Sequence, residues 1–145
     1  MTRIASALFL LTTLVGCGPT DDIANLPDAV LHARARALPV AQRYALYLRV
    51  YNSRIPRNPL LAEDVAQLGN TAWNHVMKSA IGADAGTFQA GLTVLGMIPR
   101  RCSDSERMTL RGRVQSIAGS RESERLLVDH VDSACKIDPF EGMTD

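Results

Sequence analysis

The sequence predicts an all-α domain, a compact array of about seven short helices. Three observations lead there. From about residue 27 to residue 137, apolar residues recur three or four apart, and no stretch alternates strictly enough to be a strand. The punctuation between these stretches is helical in kind. Pro39 and Pro59 suit first turns, Gly69, Gly82 and Gly119 suit helix ends, and Ser103 and Ser120 suit N-caps. Finally, 145 residues, of which 46% are hydrophobic and 21% charged, are enough for one buried core and hardly two.

Helix one is expected from Pro27 or Asp28 to Ala37 and helix two over 39–52, where Val40, Tyr44, Tyr47, Leu48 and Tyr51 share one face. Pro56 and Pro59 rule out a continuous helix through 54–59, leaving a stiff linker. Asn58 then caps helix three, with Pro59 in its first turn, Leu60, Leu61, Val65 and Leu68 on its face and Gly69 at its end. Helix four runs from Asn70 or Thr71 to Ile81, with Trp73, Val76, Met77, Ala80 and Ile81 inward. Helix five covers 85–97 with Phe88, Leu92 and Leu95 on one face, although Gly91 and Gly96 weaken it. Ser103 with Glu106 three residues on is a capping box for helix six, which buries Leu110, Val114 and Ile117 and extends to Ala118. Helix seven starts at the Ser120 cap and turns Leu127, Val131, Ala134 and Cys135 inward. Such helices pack as a bundle, or as hairpins stacked in a small solenoid, although no repeat period of a known solenoid type is present.

The first residues are of a different kind. Arg3 gives one positive charge, and an apolar run from Ile4 to Gly16 follows, broken only by Ser6, Thr12 and Thr13. It is short of the roughly 20 apolar residues a span needs and fits the apolar region of a secretory signal. It ends in Leu14-Val15-Gly16-Cys17, which resembles the lipobox of bacterial lipoproteins. The resemblance covers the export signal alone. It implies cleavage before Cys17, a diacylglyceryl thioether on that cysteine and acylation of its amine. The chain then divides into a signal peptide (1–16), a lipidated tether (17–26), one helical domain (27–137) and a loose tail (138–145). Gly18 stands where an Asp tends to retain lipoproteins at the inner membrane. The resemblance therefore implies the periplasmic face of the outer membrane if the source is Gram-negative. An ordinary signal peptide and an uncleaved anchor are the competing readings.

Export places Cys102 and Cys135 in an oxidising compartment, where two thiols tend to pair. Cys102 precedes helix six and Cys135 ends helix seven. A short turn at Gly119-Ser120 makes the two helices antiparallel, so these ends lie side by side. The expected bridge staples the C-terminal hairpin and is worth roughly 3–4 kcal/mol in the chain-entropy account. Neither cysteine has the spacing of a metal site or of a redox Cys-x-x-Cys pair.

Little else in the chain carries chemistry. Of 16 bases, Arg3 falls in the signal segment, leaving 15 against 15 acids, so no field draws the domain to nucleic acid. His32, His75 and His130 fall on three different helices, His75 as a surface residue and His130 at the margin of the core. Glu63-Asp64 and the acids at 122, 124 and 129 read as solvated helix surface. No Gly-x-Ser-x-Gly elbow or phosphate-cradling glycine loop is present. No catalytic, cofactor-binding or metal-binding residue is assigned, and no cofactor is expected. Arg34, Arg36, Arg43, Arg49, Arg54 and Arg57 read as charged helix surface, with lipid headgroups near the anchor as their other use. Tyr44, Tyr47 and Tyr51 form a stripe that reads as core or, because aromatics with polar tips favour interfaces, as the candidate partner surface.

The resulting expectation is a lipid-anchored envelope protein acting as a non-enzymatic adaptor, chaperone or assembly factor for a larger envelope partner. Pilotins, the small helical lipoproteins of secretion systems, are similar in size, anchor and stapling disulfide. That likeness is one of architecture, with no shared motif. The alternatives are a small periplasmic enzyme acting on cell-wall material and a carrier with an apolar pocket between helices.

Overall fold

The computed structural model describes residues 23–136, and among these every regular element is helical. A 3-10 turn (Ile23–Asn25) is followed by α1 (Asp28–Arg36), α2 (Val40–Ser53), α3 (Ala62–Ala66), α4 (Asn70–Ile81), α5 (Ala85–Met97), α6 (Asp104–Ile117) and α7 (Arg121–Cys135). The signal segment, Cys17 and the tail lie outside the described residues. No described helix is long and apolar enough to cross a membrane.

Helix starts follow their local chemistry. The Ser103 hydroxyl accepts the Glu106 amide while Glu106 accepts the Ser103 amide, completing the capping box of α6. Ser120 caps α7 through the Ser123 amide, and Asp84 caps α5 through the amides of Gly86 and Thr87. Helix three departs from expectation. Asn58 is exposed and caps nothing; the chain makes a turn through Leu60 and Leu61 before a five-residue α3 begins. Full burial of Leu61 and Val65 holds this short element in place. Gly69 takes φ +58° and ψ −129°, a region that side chains disfavour, and so lets α4 start directly after α3.

The array winds around α5, which packs on α2, α3, α4 and α7. The pairs α2/α3, α4/α5 and α6/α7 lie one after another: α4/α5 packs on both of the others, as neighbouring hairpins in a compact array do. The closeness at the centre explains Gly91. A Cβ there would stand 3.1 Å from both the Ala80 Cβ and the Tyr44 hydroxyl, so the glycine that weakens α5 in isolation allows it to approach α4 and α2. Around it lie Trp73, Phe88, Leu92, Leu95, Leu110, Val114 and Val131, all buried. Ile81, expected inward, is exposed at the end of α4.

Residues 23–26, which read as tether in the sequence, pack on the helices. Ile23 and Leu26 pack against the core, the 3-10 turn lies on α2, and the Arg54 guanidinium donates to the Leu26 carbonyl at 3.0 Å. Residues 23–26 therefore belong to the domain.

Cys102 and Cys135 are bridged, with their Cα atoms 4.8 Å apart and a separation of 33 positions in sequence. The bridge fastens the start of α6 to the end of α7, as the antiparallel hairpin requires. Reduction, or Cys102→Ser, is expected to remove roughly 3 kcal/mol and to lower the melting temperature by about 10 °C. Melts with and without reductant check this; an unchanged midpoint would show that the hairpin is held by packing alone.

Candidate functional site

The tyrosine stripe is not a partner surface. Tyr44, Tyr47 and Tyr51 are at most 7% exposed and sit in the core between α2 and its neighbours. The Tyr47 hydroxyl donates to the Ala90 carbonyl at 3.0 Å, and burial raises both Tyr44, to about 12, and Tyr47 above the ordinary phenol value. His75 is half-buried rather than at the surface, its ring edge-on to Tyr44 with centroids 5.7 Å apart.

Two polar clusters unite residues that are far apart in sequence. The first centres on Asp64, 1% exposed, where a solvated surface acid is expected. Its carboxylate meets the His32 Nδ1 and accepts from Arg36 Nε at 2.8 Å. Arg43, 8% exposed, lies beneath. It donates to the Arg36 carbonyl at 2.7 Å, twice to the Leu38 carbonyl, and to the Asp64 main-chain carbonyl at 3.0 Å. An imidazole held by a buried carboxylate is the orienting half of an acid–base pair. The other half, a hydroxyl or thiol on the far ring nitrogen, is not among the described hydrogen bonds. What the cluster does mechanically is plain. Arg43 covers the last carbonyls of α1, and Asp64 ties α3 to α1.

The second cluster joins α4 to the start of α6. The Trp73 indole N–H donates to Glu106 at 2.8 Å, and Arg100 lies over the Trp73 ring at 4.6 Å while donating to the same Glu106 oxygen at 2.9 Å. Burial tends to raise the Glu106 carboxyl, but hydrogen bonds from the Ser103 amide, the Trp73 indole and the Ser103 hydroxyl, with the Arg100 charge, hold it below its ordinary value. Among the described residues, no three His, Cys, Asp or Glu side chains converge as a metal site.

An open trough runs between α5 and α7. One part, about 580 Å³, is lined by Arg57, Gly86 and Gln89 on one side and by Glu122, Leu126 and His130 on the other. A second hollow of about 280 Å³ lies beyond His130, between Thr93 and Gly96 of α5 and Ser133 of α7. His130 is exposed, not at the core margin, and its Nδ1 is 2.7 Å from the Leu126 carbonyl one turn earlier. Leu127 points into the core while its neighbour Leu126 stays 55% exposed at the trough. The trough is open and brings one bared leucine together with a cation and an anion. Leu126 and His130, four apart and beside the buried Leu127 and Val131, are the trace of this face in the sequence.

A comparison of the chain with known protein families, with curated proteins and with solved structures finds no match.

Proposed function

We propose that this chain is a lipid-anchored envelope protein serving as a non-enzymatic adaptor, chaperone or assembly factor for a larger envelope partner. The observation that carries the reading is the Cys102–Cys135 bridge. A structural disulfide belongs to an oxidising, exported setting, and export is what the apolar run ending at Cys17 calls for. In a Gram-negative source, Gly18 favours the periplasmic face of the outer membrane. The α5–α7 trough supports the adaptor role, because it exposes Leu126 between Arg57 and Glu122 on a bridged, well-packed frame. It takes the place of the buried tyrosines as the partner surface.

The test is crosslinked affinity purification from native membranes, comparing the native chain with Leu126→Asp and with Met108→Asp, a control at a 68% exposed position on α6. One stoichiometric envelope partner is expected with the native chain and with the control. Leu126→Asp should reduce its recovery about tenfold, the effect of losing a modest hot spot, while leaving the melt unchanged. No partner in a folded, lipidated sample would sink the adaptor reading.

A further inference from the structure

The most exposed large apolar side chain among the described residues is Ile55, at 97%. It stands on the loop between α2 and α3, beside Pro56. This loop lies where the chain comes in from its N-terminus: Asn25 and residues 53–59 line one open hollow of about 690 Å³. Arg54 pins the two together, pairing with Asp28 at 2.7 Å and with the Leu26 carbonyl at 3.0 Å. Ile23, which packs against the core, is only six residues after Cys17. Six residues span at most about 20 Å even when fully extended. A lipid on Cys17 therefore keeps this end of the domain close to the bilayer and brings Ile55 within reach of it.

We infer that the Ile55 loop is a second membrane contact, inserting Ile55 at the boundary between headgroups and acyl chains of the bilayer that holds the anchor. The inference rests on the lipid-anchor reading. Three features fit a lipid occupant. The bare side chain is aliphatic and single, as suits shallow insertion. Arg57, on the same loop, lays its guanidinium over the Tyr51 ring at 5.7 Å, which ties the loop to α2 and holds Ile55 outward. The prolines at 56 and 59 limit the backbone freedom that insertion would otherwise have to freeze. The contact would fix how the domain sits on the membrane, and because Arg57 also lines the α5–α7 trough, it would fix the height of that trough too.

The experiment uses the full lipidated chain, with Ile55→Cys carrying an environment-sensitive fluorophore. It is reconstituted in vesicles of phosphatidylethanolamine and phosphatidylglycerol with brominated acyl chains. Met108→Cys, on α6, is the control. Insertion predicts a blue shift at position 55 and at least about twofold quenching by the brominated chains, the depth of an interfacial contact, with neither at position 108. An aqueous, unquenched probe at 55 on vesicle-bound lipidated protein overturns the inference and leaves the anchor intact. A probe shielded from aqueous iodide but untouched by brominated chains also overturns it, naming a protein as the occupant. A chain whose intact mass lacks the acyl groups, and which does not float with vesicles, overturns the anchor reading and this inference together.

Discussion

Trp73→Ala is expected to destabilise the domain by about 4–5 kcal/mol, near the top of the range for large-to-small core changes, lowering the melting temperature by about 15–20 °C. Trp73 is fully buried, so its removal opens a cavity. It also removes the donor that Glu106 accepts and the ring that Arg100 covers. Trp73→Phe separates the two effects, because it keeps most of the ring and loses the N–H. The Glu106 carboxyl is held below its ordinary value of 4.5 in the folded chain. Its contribution is therefore complete above that ordinary value and is lost as the pH falls through the depressed folded value. The native chain should lose melting temperature as the pH falls below about 4.5, and Trp73→Phe should lose less over the same interval. Equal acid sensitivity in the two proteins would show that the indole hydrogen bond does not bias Glu106.

Arg43→Ala should cost about 3 kcal/mol, because it leaves one buried and two partly buried carbonyls without their shared cation. Arg43→Lys should recover little of this, since an ammonium cannot place donors on Arg36, Leu38 and Asp64 at once. His32→Ala and Arg36→Ala should each cost about 1 kcal/mol, because both side chains are partly solvated and water can replace them. Thermal unfolding of the four variants at neutral pH checks the order. A drop of less than about 3 °C for Arg43→Ala would refute its role as the clasp of α1, α2 and α3.

The separation between these two clusters and the trough matters for function. Changes in either cluster should lower stability and abundance together. Changes at Leu126 should weaken a partner while leaving the fold in place. A loss-of-function screen would thus divide into thermally weakened variants along the clusters and fully stable ones along α5 and α7.

The sequence by itself determined the all-α class, the number of helices and the pairing of the cysteines. These are local properties. A capping box at Ser103 and Glu106, or a serine followed by a helical stripe, acts within one or two turns. The bridge follows from the length of two helices and the turn between them. Helix spacing also set out the tyrosine stripe and favoured the core for it, with a partner surface as the other reading. Only the packing of α5 against α2, with Gly91 making room for Tyr44, turned the stripe inward.

The tertiary structure alone decided what depends on distant neighbours. Asp64 reads as surface in its own helix and is buried because α1 brings His32 and Arg36 over it from about 30 positions away. Arg43 looks like one more exposed base until the end of α1 presents its carbonyls. Residues 23–26 resemble a tether until Arg54 reaches back to Leu26. Periodicity ranks side chains by polarity along one element, whereas a buried charge is decided by which other elements arrive with the opposite dipoles.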